Sequence, residues 1–183
     1  RLHRGFLAYL ARLEAERPGW RWWTPPHEVA RLFDKRACSA LYREHGLPVP
    51  EELPVPPDRQ RLLEAMEARG WRRVVMKASF GSSASCLAVI GARTTMTTLR
   101  WQDGWTNSLR VQRVTDPAHQ DRVFRFLASQ EPQIQRLIPK LRHDGSTFDC
   151  RILCIAGEPL FTVVRQAHHP ITNLHLGGWR GDL

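Results

Sequence analysis

The hydrophobic and polar positions of this chain switch period several times. Phe6, Leu7, Leu10 and Leu13 recur at the spacing of one helical face, and Pro18 ends that run. Thr24-Pro25-Pro26 reads as a cap with prolines entering a first turn. From there one helix is expected through Val29, Leu32 and Phe33 to about Glu44, closed by His45-Gly46. Leu47 to Pro57 holds five prolines and reads as an extended connector, and residues 58–69 return to an amphipathic helical pattern. The period then falls to two. Residues 72–79 and 85–90 read as the arms of a β-hairpin, and residues 109–114 alternate as a strand. Residues 91–100 follow neither template. Asp116-Pro117 opens a helix through Val123, Phe126 and Leu127, and a strand follows at residues 134–139. Two more strands, Phe148 to Ile155 and Pro159 to Arg165, are joined by a tight Ala156-Gly157-Glu158 turn. The remainder, from His168 to Asp182, is polar and punctuated by glycine. This succession predicts an α+β chain without internal repeats.

A hydrophobic content of 42% is enough to build a core, and no apolar run approaches the length of a membrane span. The first residues, Arg1-Leu2-His3-Arg4, lack Met and lead straight into a helical pattern; they do not read as a secretory signal, and the true start is expected to lie upstream. Cys38, Cys86, Cys150 and Cys154 form no CxxC pair. Cys150 and Cys154 are four residues apart on a strand, roughly 13 Å, which is too far for a disulfide. All four read as reduced thiols of a cytoplasmic protein.

The formal charge of +9 permits nucleic-acid binding, yet the arginines are scattered among Ala and Glu, as in residues 11–17, in the manner of a solvated helix face. Trp20, Trp22 and Trp23 read as packing at a domain junction, with base stacking as the minor alternative. No phosphate-loop lysine motif, zinc-finger spacing or aromatic RNA-binding signature is present, so nucleic acid is not the expected partner. His168, His169 and His175 lack the carboxylate or cysteine that would complete a zinc spacing.

Lysine usage changes the picture. Of 27 basic residues only Lys35, Lys77 and Lys140 are lysine. Where arginine is so favoured, a retained lysine marks a place that wants a compact point charge. Lys77 ends an apolar strand and is followed by Ala78-Ser79-Phe80-Gly81-Ser82-Ser83-Ala84-Ser85, a tip too small and polar to pack. Backbone N–H groups and hydroxyls of such a tip, with one ammonium beside them, suit a nucleotide phosphate. Asp149 and Arg151 alternate with Phe148 and Cys150, share a strand face, and could form an ion pair there.

Taken in order, these pieces resemble the ATP-grasp superfamily of carboxylate–amine ligases, nearest in pattern to the ribosomal-protein glutamate ligases and glutathione-synthetase-like members. Asp34-Lys35 followed by His45-Gly46-Leu47-Pro48-Val49-Pro50 is similar to the family's opening segment; Lys77, Gly81, Ser82 and Ser83 to its second lysine and phosphate-covering loop; Gln135-Arg136-Leu137-Ile138 to its adenine hinge; Asp149-Cys150-Arg151 to its D-I/L-R strand; and residues 172–178 to its SNLHRGG loop. The resemblance implies two α+β subdomains clasping a nucleotide: residues 1–25 as the end of a preceding region, 26–134 as the first subdomain, and 135–183 as the start of the second. It implies ATP and magnesium, a small-molecule or peptide carboxylate activated as an acylphosphate, and an amine acceptor. Lys35, Lys77, Gly81, Ser82, Ser83, Arg136, Leu137 and Asp149 would bind nucleotide, and Arg165, Asn173 and Arg151 would act at the transferred phosphoryl group. Where this chain has Arg136 the hinge usually carries glutamate, so adenine is expected to meet backbone at Leu137. The family's magnesium ligands, an aspartate and then Glu-x-Asn, lie well beyond the glycine pair, and the metal-binding half is expected outside this sequence. A homologue that binds nucleotide without catalysis, and a basic nucleic-acid-binding module, are the alternatives.

Overall fold

The computed structural model describes residues 2–182 as a mixed α+β molecule with two antiparallel sheets. The helices are α1 (Leu2–Glu16), α2 (Pro26–Phe33), α3 (Lys35–Glu44), α4 (Arg59–Glu67) and α5 (Pro117–Ala128). The strands are β1 (Glu52–Leu53), β2 (Arg73–Ala78), β3 (Leu87–Gly91), β4 (Thr95–Trp101), β5 (Trp105–Val114), β6 (Pro132–Arg136), β7 (Arg142–His143), β8 (Ser146–Ile155), β9 (Glu158–Ala167) and β10 (Trp179–Gly181). The first sheet has the order β1-β6-β2-β3-β4-β5 and the second β10-β9-β8-β7. Among the described residues no helix is long and apolar enough to cross a membrane.

The core lies on one face of the first sheet. Strand alternation turns Val74 and Met76 of β2, Ala88 and Ile90 of β3 and Ile134 of β6 toward α4 and α5. There they meet Leu62 and Met66 of α4 and Val123, Phe124 and Leu127 of α5, all buried. The opposite face carries Val75, Leu87, Val89 and Met96, and a smaller apolar layer forms where Ile171 and Leu176 cover it. Residues 168–178 thus lie across the back of the first sheet, and Lys77, two residues after Val75, shares that face.

The expected elements are present, with informative differences. The single helix expected from Pro26 to Glu44 is two helices broken at Asp34. Asp34 is extended (φ −93°, ψ 105°) and forms an isolated β-bridge with Phe80. Its carboxylate then caps α3, accepting from the amides of Arg36 (2.9 Å) and Ala37 (3.3 Å). A tertiary backbone contact has overridden local helical preference. Within the proline-rich connector, Glu52 and Leu53 pair with Gln135 and Ile134 as an edge strand, a place that tolerates nearby prolines. Residues 91–100, without a clear pattern, supply β4, and the strand expected at 109–114 begins earlier, at Trp105. Pro132–Arg136 belongs to the first sheet, so the break between sheets falls after Arg136. The structure does not pack Trp20 or Trp23 into a junction: Trp23 is fully exposed and Trp20 rests against Trp22 with Arg17 over its ring.

The β8–β9 hairpin is long and stands out from the molecule. Its turn uses left-handed Ala156 and Gly157 (φ 52° and 86°), the twist a two-residue hairpin loop requires. Ile152, Leu153, Ile155, Leu160 and Phe161 near its tip are exposed.

The Asp34 cap sets a measurable cost. Asp34→Ala should destabilise the chain by about 1 kcal/mol in urea denaturation, with Asp34→Asn retaining most of that stability. Equal midpoints for wild type and the alanine variant would remove the cap from the account of the helix break.

Candidate functional site

The break at Asp34 delivers Lys35 to the end of β2. The Lys35 amide donates to the Ser79 carbonyl (2.9 Å), and its ammonium donates to the carbonyls of Ala78 (3.1 Å), Ser79 (3.4 Å) and Gly81 (2.7 Å). Lys35 is therefore neither a solvated helix residue nor an ammonium free to reach a ligand. It clamps the strand end and the start of the small-residue loop. Lys77 comes from the same strand end, half-buried, and donates to Gln135 Oε1 at 2.8 Å. Burial lowers the affinity of both ammoniums for their protons, and the Lys35 charge lowers that of Lys77 further, against the pull of Glu52. Glu52 stands behind the glutamines, accepting from Gln133 (2.8 Å), Gln135 (3.1 Å) and Arg43 (2.9 Å). Among the described residues neither ammonium has a carboxylate at salt-bridge distance.

The loop between β2 and β3 is held in an unusual backbone. Gly81 has φ 101°, and Ser83, Ala84 and Cys86 have φ 60°, 56° and 50°. Each non-glycine residue there costs about 1 kcal/mol or more. Polar contacts offset this: Asn107 Oδ1 accepts from Thr98 Oγ1 (2.9 Å) and from the Cys86 amide (3.2 Å), and Thr98 Oγ1 also reaches the Ala84 carbonyl (3.2 Å). From across the cleft, His175 Nε2 lies 2.8 Å from the Ser83 carbonyl. Ser82 and Ser83 remain exposed.

On the second sheet, β8 and β9 build another charged group. Asp149 and Arg165 are register partners. Arg165 grips the carboxylate with Nε (2.7 Å) and Nη2 (2.9 Å), a bidentate fork. Lys140 Nζ and Thr172 Oγ1 both donate to Asp149 Oδ2 at 2.6 Å, and Lys140 also reaches Thr172 Oγ1. The desolvation of Asp149 would raise its pKa, but the bonds from Arg165, Lys140 and Thr172 outweigh it and hold the carboxyl at about 2. Thr172 fastens the 168–178 segment to the second sheet, and Gly178 completes the joint. A Cβ there would meet the carbonyl oxygens of Gln166 (2.9 Å), Asn173 (3.0 Å) and Thr172 (3.1 Å), so the close approach demands glycine.

The residues singled out in the sequence are only partly brought together. Lys35, Lys77 and residues 81–83 converge at one end of the cleft, and Asp149 and Arg165 meet on the facing sheet. Arg151 is exposed, opposite Val163, and takes no part in the Asp149 ion pair; that partner is Arg165. Asn173 opens the short 3₁₀ turn Leu174–Leu176 and uses its carbonyl, not its side chain, toward Leu176 and Gly178. Arg136 bonds Glu51 (3.1 Å). The Leu137 amide, expected to meet adenine, donates to the Arg73 carbonyl at 3.0 Å. Lys140, Thr172 and Gln135 take parts that the sequence does not assign them, though Gln135 and Thr172 lie inside the segments resembling the adenine hinge and the SNLHRGG loop. Only the scarcity of lysine marked Lys140, and Gln135 shows itself as a polar residue alternating with Ile134 on a central strand. All four cysteines are unpaired, and burial raises the pKa of Cys86.

No family model matches this chain, and no curated protein sequence matches it.

The Asp149 cluster carries a pH signature. Its folded pKa, about 2, lies below the ordinary 3.8. The stability it contributes is therefore present in full above pH 4 and is lost as pH falls toward 2. Asp149→Asn should cost about 2 kcal/mol at pH 7 in chemical denaturation, and the gap to wild type should close between pH 4 and pH 2. A gap independent of pH over that interval would show that the carboxylate charge is not what holds Thr172 and the segment it anchors.

Proposed function

We propose that this chain binds ATP by its phosphates at Lys77 and the loop from Gly81 to Ser85, as part of an ATP-dependent carboxylate–amine ligase of ATP-grasp type. The observation that carries the reading is the pair of half-buried ammoniums, Lys35 and Lys77, beside that loop with no carboxylate bonded to either. Half-burying like charges side by side is unfavourable unless an anion completes the site. Lys77 has only the neutral Gln135 amide as partner, so it is the group that turns to a phosphate, while Lys35 fixes the loop through Gly81. On the second sheet Arg165 engages Asp149 through Nε and Nη2 only, and in this reading its remaining N–H groups turn to the transferred phosphoryl group. The ordered resemblance across residues 26–178 supplies the reaction class: transfer of the γ-phosphate to a carboxylate, then attack by an amine on the acylphosphate.

The cleft sets conditions on this reading. A purine laid along Val75 and Leu87 requires Ile171 and Leu176 to lift from them, so nucleotide entry separates residues 168–178 from the first sheet. A dry site that recloses over the acylphosphate protects it from water. Magnesium requires several oxygen ligands at close range. Among the described residues no three His, Cys, Asp or Glu side chains come together, and Asp149 is saturated by Arg165, Lys140 and Thr172. These residues do not by themselves fit a magnesium site.

Two measurements test the reading. Calorimetry should find one ATP bound per chain, weakened by about 1.5–3 kcal/mol in Lys77→Ala, the range of a charge-assisted contact. With hydroxylamine as the amine and a panel of amino-acid carboxylates, ADP and a hydroxamate should appear together. Equal ATP affinity for wild type and Lys77→Ala would end the phosphate assignment, and ATP binding without any hydroxamate would leave a nucleotide-binding protein that is not a ligase. Hydrogen exchange gives an independent check. The amides of residues 82–86, which bury little, should slow on adding a non-hydrolysable ATP analogue. Unchanged exchange there would count against the loop as a cover.

A further inference from the structure

Away from Lys77, the two sheets enclose a cavity of about 690 Å³, a volume suited to a small molecule. Arg72 and Arg73, at the start of β2, form one wall. Arg142 of β7, Thr147 of β8 and the His168-His169 pair form the other, and residues 137–140 close the floor. No aspartate or glutamate lines it. Among the described residues eight arginines lie within salt-bridge distance of a carboxylate, as Arg12 does of Glu16, Arg31 of Glu28 and Arg61 of Glu64, and Arg72, Arg73 and Arg142 are not among them. Among the described residues Arg72 and Arg73 have no carboxylate partner, and Arg142 donates only to the Gly145 carbonyl (2.8 Å). Arg136, at the lip, is paired with Glu51, and Lys140 shares the single carboxylate of Asp149 with Arg165, so the cavity carries the charge of the three arginines and part of that of Lys140. Concave walls of one sign concentrate the field inside.

We propose that this cavity is a binding site for a compact multivalent anion, a small molecule carrying phosphate or carboxylate oxygens close together, gripped between Arg72 and Arg73 of the first sheet and Arg142 of the second. Guanidinium forks match either kind of oxygen pair. A single charge would leave one wall unanswered, which is why the ligand carries several. The site is separate from the one at Lys77. Lys77 does not line the cavity, and the apolar layer of Val75, Val89, Ile171 and Leu176 lies on the same sheet face. The inference stands whether or not the chain binds ATP. Because its arginines belong to both sheets, the ligand also fixes the sheets to each other.

The test uses the whole chain and calorimetry with inorganic pyrophosphate in one arm and citrate in the other. In Lys77→Ala, which removes the phosphate contact proposed above, one anion should still bind per chain. Tighter pyrophosphate assigns phosphate oxygens, and tighter citrate assigns carboxylates. Arg73→Gln and Arg142→Gln should each weaken binding about tenfold, or about 1.4 kcal/mol, while Lys77→Ala and Arg125→Gln leave it within about twofold. Arg72, Arg73 and Arg142 are all exposed, and if either glutamine variant melts early, Arg72→Gln carries the same test. The proposal falls if neither anion binds below about 1 mM, a free energy of only about 4 kcal/mol. It also falls if Lys77→Ala abolishes binding, since the anion then occupies the Lys77 end. Equal weakening by Arg125→Gln overturns it too, because diffuse surface charge would then be the cause.

Discussion

One half-buried ammonium organises this molecule. Lys35 sits where the chain leaves an extended residue and enters α3, and its bonds to the carbonyls of Ala78, Ser79 and Gly81 fix three things at once. They set the break between α2 and α3, they anchor the root of the β2–β3 loop, and they place a positive charge beside Lys77. A carboxylate in the same position would satisfy none of those carbonyls, and an arginine fork would not converge on three of them from a point. The polarity of the cleft follows. Lys77 is left with a neutral partner, and Glu52 is drawn back to Arg43 and the glutamines of β6.

The far side of the cleft is arranged by the opposite logic. There a single carboxylate, Asp149, collects Arg165, Lys140 and Thr172 and so becomes a fastener between the second sheet and residues 168–178. One side thus holds cations in want of an anion, and the other an anion surrounded by donors. The His175–Ser83 contact joins the two sides at the loop tip. The segment bearing Ile171, Thr172, His175 and Leu176 therefore answers to both sheets, through apolar cover on one and an ion pair on the other.

Much of the α+β succession was legible because periodicity reports which residues face a core. Val74 and Met76 against Val75 and Lys77 is such a pattern, and the hairpins at 72–90 and 148–165 followed from it. What was not legible depended on partners distant in sequence. The helix from Pro26 to Glu44 breaks because Phe80 pairs with Asp34, and no local signal near Asp34 announces that strand. β1 is invisible alone, being two residues that exist only against β6. In the candidate site, rarity singled out the lysines, and Lys77 and its loop stood out from the strand before them. The actual partner of Asp149 could not be read from spacing, since Arg165 lies opposite it only through the β8–β9 register, whereas Arg151 is merely its neighbour along the strand.

The strand order has a consequence for how the chain acquires its fold. β6 lies between β1 and β2, so the sheet's interior position is filled by its last strand in sequence. As residues emerge from N- to C-terminus, β2 to β5 can zip as a local meander. β1 meanwhile has nothing to pair with, and one edge of β2 stays bare until Pro132–Arg136 and the preceding α5 are made. Closing that edge joins residues 58 or more positions apart, as in Lys77 with Gln135, and the loop-closure entropy of such late pairing slows folding. During that interval the apolar row of β2 is an open template for a foreign strand. Arg72 and Arg73, at the start of β2, place positive charge beside the bare edge, which discourages pairing with the same basic strand of a second copy while β6 is still being synthesised.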